Sequence, residues 1–106
     1  TARTVNGLKN AEEAQFIASS WSSLYNRAFL TRNNLWFDTD QTRFEDRLFV
    51  LHAITQAEKI AFTGQPNRVW RGRAGSISVT ATTPETHLLQ LQLLEKCQAH
   101  MHTQVA

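Results

Sequence analysis

Residues 67–86 read NRVWRGRAGSISVTATTPET, and the expected fold turns on this stretch. Arg68, Arg71 and Arg73 surround Trp70. Ile77, Val79 and Ala81 then alternate with Ser76, Ser78 and Thr80, the period-two pattern of a strand with one buried face. Val69 and Arg71 suit a partner strand, and Gly72 and Gly75 let the connection turn. The segment therefore reads as a β-hairpin. No acid occurs between Glu58 and Glu85, so its positive charge has no local counterweight. Such a hairpin can grip nucleic acid, dock on a partner subunit, or be a turn kept soluble by arginine.

Helices are expected on both sides. Thr83, Pro84 and Glu85 form a start signal: a cap, a proline at the first helical position and an acid in the first turn. Leu88, Leu91, Leu94 or Lys96, and Cys97 then recur at spacings of three and four, with Leu89 and Leu93 widening the stripe. Upstream, Thr42 and Glu45 form a capping-box pair. Phe44, Leu48, Leu51 and Ile54 mark one face of a helix, which Phe49, Val50 and Ala53 broaden, and Gly64 and Pro66 end it. A further helix is expected over residues 10–32, with Asn10 as cap and Glu13 three residues on. Its apolar stripe is Phe16, Ile17, Trp21, Leu24, Tyr25 and Ala28, and serines at 19, 20, 22 and 23 weaken it. Between the helices, TRNNLWFDTDQT (31–42) is a break that carries Leu35, Trp36 and Phe37, an apolar cluster that either packs back on the core or anchors a partner.

The expected fold class is α+β, mostly helical: three principal helices with one two-stranded hairpin between the second and third. Residues 1–106 form one domain, with a flexible arm over 1–9, an added helix over 10–32 and a helix–hairpin–helix core over 42–100. Phe16, Trp21, Phe44, Leu48, Leu51, Ile77, Val79, Leu88 and Leu91 are the expected core. A hairpin is marginal alone, so it must lean on the helices.

Composition narrows the class. A chain of 106 residues, 42% hydrophobic, can bury a modest core without disulfides. The net charge is +2, from 11 basic and 9 acidic side chains, too small for a polybasic DNA coat; local clustering matters more. One cysteine, Cys97, suits a reducing compartment such as cytoplasm. No apolar run approaches the ~20 residues of a membrane span.

The chemistry-bearing patterns are sparse. Cys97, His100 and His102 resemble half a metal site, but 97 and 100 share a helix face that 102 does not, so no metal site is expected. No phosphate-cradling glycine loop and no nucleophile elbow occurs. The acid pairs Glu12–Glu13 and Glu45–Asp46 fall in first helical turns, where they complement the helix dipole without catalysis. No catalytic residue, enzyme activity or cofactor is expected. Trp36, Phe37, Arg68, Trp70, Arg71 and Arg73 remain as candidate interface or DNA-facing residues.

The run ITQAEKIAFTGQPNRVWRGRAGSISVTATTPETHLLQLQLLEKC resembles the gpW-type head-completion proteins of tailed bacteriophages in its order of helix, basic hairpin, strand of small and β-branched residues, and capped last helix. The resemblance covers about residues 44 to 98, and the N-terminal arm and helix are additional to it. It implies a structural virion protein, a head-to-tail adaptor assembled in the host cytoplasm. Copies would form a ring docked on the portal protein, with the next connector or tail protein beneath and non-specific contact with DNA in the channel. It implies no membrane partner. The alternative is a small nucleic-acid-binding or regulatory module built on the Arg/Trp hairpin, which the low net charge disfavours.

Overall fold

The computed structural model describes residues 3–17, 19–66, 68–69, 71–75 and 83–104. The fold is α+β and mostly helical. In chain order the elements are β1 (Arg3–Val5), α1 (Ala11–Ala14), α2 (Arg27–Arg32), α3 (Glu45–Gln56), β2 (Ile60–Phe62) and α4 (Pro84–Gln104). No described helix is long and apolar enough to cross a membrane.

The N-terminal arm is not free. Its β-branched Thr4 and Val5 suit a strand, and β1 pairs antiparallel with β2 in the register Arg3 with Phe62, Thr4 with Ala61 and Val5 with Ile60. Val5 is buried. Arg3 lies over the Phe62 ring, 5.2 Å from its centroid, and forms an ion pair with Glu13. Just beyond, the Gly7 N–H donates to the Ala57 carbonyl at 3.1 Å. A Cβ at position 7 would meet the Ile54 carbonyl oxygen at 1.8 Å, so only glycine lets the arm lie this close to the end of α3. The antiparallel pair thus joins segments far apart in sequence. The strand expected at 76–81 and the expected core residues Ile77 and Val79 lie outside the described residues.

The helix expected over 10–32 is two short helices. α1 stops at Ala14 and α2 begins at Arg27. Serine chemistry explains the gap: Ser22 Oγ donates to the Ser19 carbonyl at 3.3 Å, offering the backbone a local alternative to helix. Asn26 then restarts the helix, its Oδ1 accepting from the Phe29 N–H at 3.0 Å. Asn10 instead accepts from the Asn6 N–H at 2.8 Å. With the helix broken, its stripe dissolves. Phe16 and Leu24 are 79% and 97% exposed and Trp21 is exposed too, while Ile17 and Tyr25 still pack against the core.

α3 carries the core. Leu48, Phe49, Val50 and Ala53 are buried, and Leu35 joins Phe49, Val50 and Ala53 from the preceding break. The Thr42–Glu45 capping box does not form. Phe44 precedes the helix in a left-handed conformation, φ 62° and ψ 19°, and stays half-buried, as does Leu51. The helix also ends earlier than expected, at Gln56, because Ile60–Phe62 is taken by the sheet. Gly64, at φ 71°, turns the chain after β2.

α4 begins as expected. The Thr83 N–H donates to Thr86 Oγ1 at 2.9 Å and the Thr86 N–H to Thr83 Oγ1 at 3.3 Å, a reciprocal cap with threonine where glutamate usually stands. Its inward face differs from expectation. Leu93 is buried, whereas Leu88, Leu91 and Leu94 are 56–58% exposed. Leu89, Lys96, Cys97, His100, Met101 and Gln104 share the side of Leu93. α3 and α4 run in the same direction, since His52 meets His100 and Gln56 Nε2 donates to Gln104 Oε1 at 3.2 Å.

This arrangement separates two leucines that the sequence pattern treats alike. Leu93→Ala is expected to cost about 2–5 kcal/mol, as for a buried leucine. Leu91→Ala is expected to stay within about 0.5 kcal/mol, as for a surface site. Urea unfolding of the two variants checks the assignment, and equal losses would place α4's buried face wrongly.

Candidate functional site

A surface with oriented side chains lies between α2 and the start of α3. After α2 the chain reverses through Asn33 and Asn34. Asn33 Nδ2 donates to the Phe29 carbonyl at 2.9 Å, and Asn34 takes a left-handed φ of 52°, a conformation asparagine tolerates better than most residues. The Leu35 N–H then returns to the Leu30 carbonyl at 2.9 Å. This turn sends Leu35 into the core and Trp36 outward.

Trp36 is 71% exposed, yet its ring is oriented: Nε1–H donates to Asn34 Oδ1 at 3.0 Å. Phe37 stacks on Phe49, with centroids 4.3 Å apart and planes within 13°, and Tyr25 meets the same Phe49 edge-on at 5.3 Å. Trp36, Phe37 and Phe49, with Arg27, Leu30, Thr31 and Leu35, border an open groove of about 410 Å³. Trp36 and Phe37 both border the groove, as do Arg27 and Thr31, which the sequence did not single out.

At one end of this region α3 begins with two adjacent acids, Glu45 and Asp46, both half-exposed. The Asp46 charge reaches Tyr25: burial pushes the phenol above its ordinary value, a Ser23 hydrogen bond opposes, and Asp46 raises it further. Phe44, directly before the acids, is an aromatic residue in left-handed backbone, a conformation that costs energy and concentrates at functional turns. The Arg43 guanidinium lies over its ring at 5.5 Å.

The loop before Phe44 is braced from α4. Gln41 is 3% exposed. Its Nε2 donates to the carbonyls of Arg43 (2.8 Å) and Leu89 (3.1 Å), and its Oε1 accepts from Lys96 Nζ at 3.0 Å. Lys96 also pairs with Asp38 at 2.8 Å. That hydrogen bond, followed by one from the Asp40 N–H, holds the Asp38 carboxyl below its usual value.

Further along the seam, the His52 and His100 rings are 4.2 Å apart. The Thr55 hydroxyl reaches the Leu51 and His52 carbonyls at 3.0 and 3.1 Å, and its Oγ1 is 2.7 Å from His100 Nε2. Burial lowers the pKa of both rings; His100 lowers that of His52 further, and Asp38 opposes. His100 is therefore engaged with Thr55, while His102 is exposed and burial raises the Cys97 thiol. Among the described residues no group of three or more His, Cys, Asp and Glu could hold a metal ion.

Arg68, Arg71 and Arg73 are exposed, with a turn at Ala74–Gly75 where Gly75 takes φ 81°. None of the three borders the groove. Trp70 lies outside the described residues.

Over 71 residues, 67% of its length, the chain is 35% identical to a protein of Bacillus subtilis (strain 168) described as an uncharacterized glycosyltransferase, EpsJ. The matched part is 21% of that protein, so the chain spans about a fifth of the length of the curated relative it matches. No family model matches the chain, and no solved structure matches it.

The histidine pair makes a prediction about pH. Both rings are favoured neutral in the fold, with pKa values below the unfolded 6.5. Their contribution is complete above that value and is lost as pH falls through the lowered values. The melting temperature is expected to drop as the solution is acidified below about pH 6.5, and the double variant His52→Gln, His100→Gln to flatten that drop. An unchanged slope in the double variant would remove the pair as its cause.

Proposed function

We propose that this chain is part of a glycosyl-transferring enzyme, and that the acids opening α3 act on the acceptor. The observation that carries the reading is the 35% identity over 71 residues to a protein named as a glycosyltransferase. The strained Phe44 beside Glu45 and Asp46 adds a local reason to look there.

The chemistry needs such a group. In sugar transfer an acceptor hydroxyl bonds to the anomeric carbon of an activated donor as the bond to the leaving group breaks. The electron pair departs with the leaving group, and the hydroxyl proton must pass to a base. A carboxylate is suited to take it. Glu45 and Asp46 are both half-exposed, so either carboxylate can meet an acceptor, and Asp46 lies on the side of Tyr25, whose ring packs on Phe49 at the groove. Gln41, Lys96 and Asp38 hold the approach loop, so the acids sit on a braced turn.

The assay is transfer from activated sugar donors by the native polypeptide that carries these residues. Asp46→Asn is expected to lower kcat about 10²–10⁴-fold with the melting curve intact. Full transfer by both Asp46→Asn and Glu45→Gln would remove the acids from the mechanism, and absence of transfer from any donor class would sink the enzyme reading.

The second reading is the structural one, a head-to-tail adaptor ringed on a portal protein. The exposed row Leu88, Leu91 and Leu94 favours it, since apolar area on one helix face suits subunit contact. Sedimentation of the native polypeptide separates the two. A ring-sized species without sugar transfer supports the adaptor, in which the exposed Arg68, Arg71 and Arg73 would face a neighbour or DNA. A monomer that transfers sugar rejects it.

A further inference from the structure

We infer that the groove between α2 and the Leu35–Phe37 turn seats a hexopyranose ring, stacked against Trp36 and Phe37 and hydrogen-bonded at its edge by Arg27 and Thr31. This inference rests on the glycosyl-transfer reading and names the part of the surface that would hold the sugar.

The first argument is the state of Trp36. An indole left 71% exposed normally samples several rotamers. This one is tethered through Nε1–H to Asn34, whose own backbone is held left-handed. With its indole N–H engaged by this surface hydrogen bond, the ring offers its π face as its principal free surface. Phe37 is arranged alike: one face is stacked on Phe49, and the side chain is still 47% exposed. Two aromatic platforms are thus ordered before any ligand arrives, which reduces the entropy lost on binding.

The second argument is what surrounds the rings. A pyranose has an apolar C–H face and a rim of hydroxyls. It therefore calls for an aromatic surface with a few polar groups at its edge. The lining supplies both. Arg27 has no ion-pair or hydrogen-bond partner for its guanidinium among the described residues, so its five N–H donors are available. Thr31 Oγ1 donates to the Arg27 carbonyl at 3.1 Å, which leaves its lone pairs to accept from a sugar hydroxyl. Among the described residues no acid lines the groove, so the seat is separate from the acids that open α3. Its volume of about 410 Å³ lies in the usual range for small-molecule sites. A long apolar helix fits less well, because this groove has cationic and hydroxyl groups at its edge and a tethered ring at its mouth.

The test is a titration of the protein with three neutral probes, cellotriose, maltotriose and chitotriose, followed through indole N–H resonances. Trp36 is expected to shift with at least one probe while Trp21 stays fixed. Trp36→Ala is expected to weaken that binding at least tenfold, and Arg27→Ala to weaken it by a smaller factor. Trp36 is exposed, so both variants should fold, and their melting curves check this. Phe37→Leu, which removes the stacked ring and leaves an aliphatic side chain against Phe49, is expected to weaken the binding as well. A Trp36 resonance unmoved by all three probes would overturn the inference. So would one that moves with protein concentration alone, which would make the groove a contact between copies. The two readings fail separately. Active transfer with an unmoved Trp36 sinks the groove alone, while a sugar-dependent Trp36 shift without transfer sinks the enzyme reading alone.

Discussion

Phe49 is the point on which the rest depends. It is 6% exposed, and its ring is gripped on two sides, by Phe37 stacked at 4.3 Å and Tyr25 edge-on at 5.3 Å. Leu35, Val50 and Ala53 complete the cluster behind it. The same side chain is therefore core for α3 and floor for the groove. Aromatic pairs of this geometry contribute about 0.5–1.5 kcal/mol beyond their buried area. More important, they fix directions: Phe37 cannot leave Phe49 without dragging the turn that aims Trp36.

A second constraint is polar. Gln41 uses its amide hydrogens on two carbonyls and its oxygen on Lys96, so its buried carboxamide is satisfied from three directions. Satisfaction matters because an unpaired buried amide costs about 1–3 kcal/mol. The network ties the loop before α3 to α4, and the histidine pair continues the seam between the helices. The acids at the start of α3 thus inherit their position from contacts on a helix about fifty residues further along the chain.

The enzyme and adaptor readings draw on different faces of the molecule. The first uses the groove, the strained Phe44 and the acids beside it. The second uses the leucines that α4 turns away from α3. They need not compete physically, because a catalytic polypeptide can also present an apolar helix face to its own remaining chain or to a partner. What separates them is chemistry: one predicts a proton acceptor at a defined turn, the other predicts mass.

Much of the local structure was legible in the residues. The mostly helical α+β class, the start of α4 at Thr83–Pro84, the core role of Leu48 and the break around Trp36 and Phe37 all follow from caps, periodicity and turn chemistry, which act between neighbours in sequence. Other features needed the tertiary structure. Residues 3–5 look like an arm until residues 60–62 supply their hydrogen bonds, and Gly7 looks unremarkable until α3 passes it. α4 carries leucines on more than one side, and periodicity pointed to Leu91 where the structure buries Leu93; the choice came from Gln41, Thr55 and His52 meeting Lys96 and His100 on one flank. The acid pair at 45–46 reads as an ordinary helix start, because dipole complementarity and a catalytic turn require the same residues. The left-handed backbone of Phe44 beside the pair is not legible in the sequence and appears only in the folded chain.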